Sequence, residues 1–518
     1  MRRKVDLARR LVAVALCLAM ASGGCGHSVL NSVLHDPDEP PSPGKRSPML
    51  KVHLKSGELL LLDSWRLSDD RSRLEGTGTS FSVRREEGAR GRQSVPIDAV
   101  ALLETDSPEQ VRPFGTSALA VMTTVFGALT AVCAADPKGC FGSCPTFYFP
   151  GEDEGRPVAE GFSASIARAL EARDVDALFA GRPDGERRLV LTMRNEALET
   201  QAVRRLRLWA APRPPGGRVL ADPSGRLHAA LELVPPAGCR APEGDCLSAA
   251  RAFDEKERVS GADASDLATR ETVELVFPAA SGRVGLVVGA RQTILSTFLF
   301  YQTMAFLGRG AGAFLATVER GEVDPARAMG MARVLGGIDA EAAEGDQPFR
   351  PIGTFDEAGP IAGDVQVLPF DASGAGALRV RLRLAKGHWR LGYLALARLG
   401  GRVDARVLSP LSVEKNGRRD DEALSALRAG DRHVVTLPGD VHRVAFALPG
   451  PARDLELFLE SEGYYYEWMR GEWLSEEDPG MALLALTDPH EALRRMAGPF
   501  HEREPGLERA FWSSRFRK

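Results

Sequence analysis

Several groups of residues in this chain have types and spacings that chemistry can use. Asn195, Glu196, Glu199 and Thr200 offer an amide, two carboxylates and a hydroxyl, an oxygen set able to hold a hard cation. Two carboxylates are a thin set, so the preferred reading is a loop whose side chains bond the backbone and pair with Arg204 or Arg205. Glu460, Glu462, Glu467 and Glu472 suggest the paired carboxylates of a glycosidase, against which stands a solvated acidic face. His388, next to Trp389 in a hairpin, reads as a surface or cross-strand residue rather than a general base. The aromatic run Tyr464, Tyr465, Tyr466, Trp468 and Trp473 is the sharpest feature. Such rings stack on sugars or anchor interfaces, and in an extended segment Tyr464, Tyr466 and Trp468 share one face. Tyr464, Tyr466, Trp468 and Trp473 are therefore the candidate binding residues. The competing role is a seam on which C-terminal helices bearing Leu493, Met496, Phe511 and Trp512 close.

GxSxG, HExxH and Walker motifs are absent, and Gly308-Arg309-Gly310-Ala311-Gly312 lacks dinucleotide-loop spacing and lies in a helical pattern. No catalytic residue, metal or cofactor is assigned.

The elements that must position these residues begin with an address. Arg2, Arg3, Lys4, Arg9 and Arg10 precede a short apolar run at 11–20 and then Ser22-Gly23-Gly24-Cys25, the layout of a secretory signal. Residues 1–24 are expected to be removed. The segment resembles the lipobox of bacterial lipoproteins, which implies lipidation at Cys25 and a membrane partner reached through that lipid. Gly26 after the cysteine favours the outer membrane by analogy with lipoprotein sorting. Cleavage after Ala21, giving a secreted or periplasmic protein, is the alternative.

Of the 518 residues, 44% are hydrophobic, enough for several cores, and the formal net charge of −4 becomes more acidic without the basic leader. That balance argues against a nucleic-acid partner. Seven cysteines include Cys17 in the leader and Cys25. In an oxidising compartment Cys239 and Cys246 are expected to bridge a short loop, and Cys140 to bridge Cys144 or Cys133.

Periodicity predicts a mixed, mainly β fold with α. A proline-rich tether occupies 25–47, and a small SH3-like or Sm-like barrel 48–112, where Leu50, Val52 and Leu54 alternate with Lys51, His53 and Lys55. An uncharged helix at 113–135 and a Cys-rich turn fill 113–150; that helix either enters the bilayer or packs on a partner. A β-sandwich-like domain spans 151–293, a helical segment 294–350 and a second β-rich domain 351–462. The aromatic segment and C-terminal helices close the chain at 463–518.

Cys144-Pro145-Thr146-Phe147-Tyr148 with Glu160-Gly161, Asn195 to Thr200, Gly359-Pro360 and Tyr464-Tyr465-Tyr466-Glu467-Trp468 together resemble an uncharacterised family of exported bacterial proteins. The resemblance implies a mixed β-sandwich plan and no established activity. The expected role is a lipid-anchored envelope protein that binds or scaffolds, with an envelope protein or glycan as partner. The alternatives are an enzyme acting on cell-wall glycan and a sensory lipoprotein.

Overall fold

Leu378, Val380, Leu382 and Leu384 are buried while Arg379, Arg381 and Arg383 face outward, so one face of this strand is core and the other wet. The same period of two recurs along the chain and makes the protein mainly β, with several sheets and a closed five-stranded barrel. This computed structural model describes residues 27–111, 144–179, 187–316, 330–468 and 476–513, apart from 36, 38–39, 42–48, 55, 57, 83–86, 151–155, 255, 313, 315 and 357–358. The leader with Cys25, the tether positions 26, 36, 38–39 and 42–47, the 113–135 segment, Cys133, Cys140, Glu472 and Trp473 lie outside the described residues, whereas His27–His35 of the expected tether forms a strand paired with Val100–Val111. Among the described residues no helix is long and apolar enough to cross a membrane.

The N-terminal region forms one antiparallel sheet, in which Leu50–Leu54 sits between Val100–Val111 and Leu59–Leu67. Alternation misleads in one respect here, because Lys51 and His53 are buried as fully as Leu50 and Val52. The cause is Glu104 on the adjoining strand, whose carboxylate accepts from Lys51 Nζ at 2.6 Å and meets His53 Nε2 at 3.3 Å. Burial alone would raise the Glu104 pKa, but Lys51 and His53 hold it down to about 2.

The remaining strands stack in layers. A sheet containing Arg188–Arg194 and Val441–Ala447 packs on a second built from Glu199–Pro212 and Leu455–Glu467, and Leu191, Phe446, Leu206 and Leu459 fill the space between. The other face of the second sheet, through Ala211 and Phe458, meets the barrel at Val287 and Val367. Arg218–Ala221, Leu227–Val234, Trp389–Arg402, Ser281–Gln292 and Asp364–Ser373 form that barrel, which closes through a parallel contact of Ala221 with Gln366. Its opposite face, with Leu286 and Leu368, packs on a last sheet through Leu275 and Leu382. Strands from 151–293 and 351–462 thus share sheets and cores.

Helices close the stack. Ile294–Leu307 packs with Pro479–Thr487 and Pro489–Ser513 around Phe298, Met304, Leu493 and Phe500. The Asp488 side chain accepts from Glu491 N at 3.1 Å, capping the last helix as its Asp-Pro start requires.

Cys239 and Cys246 form the expected disulfide, both half-cystines being buried. Replacing both with serine is expected to cost about 2–3 kcal/mol, since the bridge limits the unfolded chain over a short loop. Denaturant midpoints of the oxidised wild type and the double variant check this.

Candidate functional site

The strand Arg188–Arg194 ends at Asn195, where the chain crosses from the first body sheet into Glu199–Pro212 of the second. Asn195 Nδ2 donates to the Glu199 carbonyl at 2.9 Å and to the Thr436 carbonyl and hydroxyl at 3.2 Å, while its Oδ1 accepts from Ala197 N at 3.3 Å. Glu196 accepts from the Tyr148 hydroxyl at 2.8 Å, and Glu199 from Gln201 Nε2 at 2.8 Å. Arg204 and Arg205 pair with Glu171 and Glu462 and take no part. The loop is therefore a buried polar corner that holds two sheets together; the expected pairing with Arg204 or Arg205 is corrected, because Glu171 and Glu462, brought in from distant segments, each lie 2.6 Å from one of the two guanidinium groups.

The aromatic run is corrected more sharply. Leu455–Glu467 is a central strand: Glu199–Pro212 and Ala172–Ala177 pair with its two edges, and the helical core and the facing sheet cover its two faces at the tyrosines. Tyr464, Tyr466 and Trp468 are 0%, 3% and 2% exposed, which removes them as a binding surface. The alternation does hold: Tyr464 and Tyr466 enter the helical core, and Tyr465 enters the core between the sheets. The strand also runs past Gly463, the expected boundary between the second β-rich domain and the aromatic segment. A Cβ there would lie 2.3 Å from the Ala202 carbonyl, so this glycine permits close strand approach.

Other buried polar groups collect beside this strand. Tyr465 donates to the Ser163 carbonyl at 3.0 Å, Tyr301 donates to Glu467, and Trp468 Nε1 donates to Thr200 Oγ1 at 2.8 Å. Cys144 is a free, buried thiol, so the proposed bridge to Cys140 is not formed. Burial pushes its pKa well above the ordinary thiol value, aided by Glu160 and Glu199, which makes it a poor nucleophile. Glu460, expected on a solvated face, is buried and accepts from Trp209 Nε1 at 2.6 Å.

Glu160 ties the loop before the barrel strand Asp364–Ser373 to this node. Its Oε2 accepts from Ile361 N at 2.6 Å and Ala362 N at 3.2 Å, and its Oε1 from Ser163 Oγ at 2.7 Å. Gly359, at φ +120°, leaves room for that carboxylate, which a Cβ would approach to 2.4 Å. Nearby, Asp174 accepts from Phe162 N and Val175 N, and Asp364 from Ala177 N. Burial first, then the Asp364 charge, pushes Asp174 up to about 7; burial raises Asp364 as well. Five sequence segments that look unrelated along the chain thus meet in one buried acidic and aromatic node.

His388 is likewise buried rather than on the surface. Desolvation and the Arg270 charge lower its pKa to about 3, so it stays neutral.

One accessible feature among the described residues is a cleft of about 300 Å³ where the N-terminal sheet meets the body. Lys51 and Leu61 form one wall; Ala423, Ala426, Val435 and His442 form the other. The helix Asp421–Ala429 supplies part of that wall. It starts where the Asp420 side chain accepts from Ala423 N at 2.8 Å and stops at Gly430, φ +67°. His442 lies on Val441–Ala447 at an inward position shared with Val444 and Phe446, and is 1% exposed. Neither ring nitrogen has a hydrogen-bond partner. Burial, followed by the Lys415 charge, lowers its pKa to about 4, so the ring is neutral at pH 7 and offers one donor and one acceptor. Sequence reasoning passed over this residue. The available signal was a histidine at an apolar position of a period-two strand.

Comparison with known proteins adds no family. No family model and no curated protein matches the chain. Among solved structures it aligns with the GH31 alpha-xylosidase from Xanthomonas citri at 9% identity and a TM-score of 0.15. The alignment covers 85% of this chain and 38% of that one, and a likeness at this score carries no argument about fold or activity.

Proposed function

We propose that this is a lipid-anchored cell-envelope binding protein that holds a small ligand in the cleft between its N-terminal sheet and its body. The carrying observation is the cleft itself: about 300 Å³, walled by two different sheets and a capped helix. That volume lies within the range of small-molecule sites, and the mix of apolar wall and a few polar groups is what such sites use. The lipobox-like segment at Cys25 supports anchoring, by our reading to the outer membrane, and the Cys239–Cys246 bridge supports an oxidising compartment.

Two measurements test the reading. Cys25→Ser is expected to move the protein from the membrane to the soluble fraction, and continued sedimentation with membranes would count against the lipid anchor. Wild type purified from envelopes is expected to release a small molecule on denaturation, detected by mass spectrometry. Leu61→Trp and Val435→Trp, which fill the cleft from half-buried positions, are expected to release none. Equal recovery from wild type and both variants would overturn the binding site.

A further inference from the structure

The chemistry of the cleft wall narrows what can occupy it. Every charged group that borders it is already engaged. Lys415 Nζ meets Asp440 at 2.8 Å, Arg432 meets Glu422 at 3.0 Å, His433 Nε2 meets Glu171 at 2.7 Å, and Lys51 meets Glu104 at 2.6 Å. Asp420 caps its helix. A charged ligand entering here would shed its hydration and find the lining cations already paired and Asp420, the one lining carboxylate without a cation, engaged in its helix cap, so little repays that cost. The polar group left over is His442, buried to 1% with both nitrogens unpartnered. Replacing such a group by a hydrocarbon costs a fold nothing, so its position between Lys415 and Met193 in the sheet registers makes sense as recognition rather than packing. Around it, Leu61, Val434, Leu437 and Ala426 make an apolar wall.

We infer that His442 is the recognition residue of this cleft and that its ligand is an uncharged sugar, seated with its C–H face on the apolar wall and a hydroxyl or acetamide on the imidazole. The inference rests on the binding function proposed above and adds the ligand class. A volume of about 300 Å³ equals that of about ten waters, the scale of one or two sugar rings. A neutral imidazole suits this class because a hydroxyl both donates and accepts.

The test uses three related sugars, N-acetylglucosamine, glucosamine and glucuronate, titrated into the full-length protein carrying ¹⁵N-labelled histidine. N-acetylglucosamine is expected to shift the His442 ring nitrogens and to bind about tenfold or more tightly than the cationic and anionic sugars. His442→Leu is expected to abolish that binding while raising the Tm by about 2–6 °C, because an apolar side chain suits the site better. His442→Gln, which keeps a donor and an acceptor, is expected to retain part of it and shows that loss in the leucine variant is not a failure to fold. Equal or tighter binding of a charged sugar, or binding indifferent to His442→Leu, overturns the inference. So does the absence of sugar binding when wild type, but not Val435→Trp, still carries another small molecule; in that outcome the cleft remains the binding site and only the ligand class fails.

Discussion

Glu160→Ala is expected to destabilise the fold by about 3–5 kcal/mol, the largest single-residue effect foreseen for this molecule. The carboxylate is buried, and its Oε2 is the acceptor for both Ile361 N and Ala362 N, which are buried themselves. Truncation would leave two desolvated backbone donors and the Ser163 hydroxyl without this acceptor, and would open a hole against Gly359. Glu160→Gln separates acceptor geometry from charge. Its amide oxygen, placed at Oε2, keeps both backbone bonds, and the amide nitrogen can donate to Ser163 Oγ, which turns to accept. The glutamine variant is therefore expected to lose only about 1 kcal/mol. Denaturant midpoints of the three proteins decide the matter; a glutamine variant as unstable as the alanine one would show that the negative charge, not the acceptor, holds the loop.

Asp364→Asn is expected to make the protein more stable at pH 8 than the wild type and to flatten its loss of stability between about pH 4 and 7. Asp174 and Asp364 are buried together, and Asp174 is raised from 3.8 to about 7 by burial and by the Asp364 charge. A carboxyl raised in the folded state binds protons more tightly there than in the unfolded chain. Its favourable contribution is full below about 3.8 and is lost as pH rises through about 7. The amide introduced at this position would still accept from Ala177 N through its oxygen, while the like charge facing Asp174 disappears. Carboxylates held low by partners, such as Glu171 beside His433 and Arg204, act in the opposite sense and lose their contribution as pH falls. The readout is therefore the difference in Tm between variant and wild type across this pH range. A difference that does not change with pH would mean the two carboxyls do not repel.

Much of the secondary structure was legible from periodicity alone. Strands at Leu227–Val234 and Leu378–Ala385 and the helix Ile294–Leu307 stand where alternation, turns and apolar runs place them. The helix Gly330–Leu335 stops at Gly336, φ +60°, as the Gly336-Gly337 pair requires. The short disulfide was legible too, because two cysteines so close in the chain need only a turn to meet.

The candidate sites were the least legible part. Tyr464 and Tyr466 have the composition of a binding face, yet their strand pairs on both sides and is roofed by helices. His388 and Lys51 follow the same logic: their exposure depends on what covers them, and those residues lie far away in sequence. Burial is a property of the neighbours, and alternation reports only that two faces differ, not which of them stays wet.

The residues alone therefore determined the mainly β class, the helix stops and caps, the short bridge and the expectation of export, since each depends on local covalent geometry, turn chemistry or composition. Tertiary structure alone decided that distant segments share sheets, that five scattered motifs meet around Glu160 and Tyr465, and that His442 rather than the tyrosines borders an open cleft. The physical reason is that strand pairing and desolvation are long-range: a hydrogen bond such as Ile361 N to Glu160 spans 201 residues, and no local pattern encodes its partner.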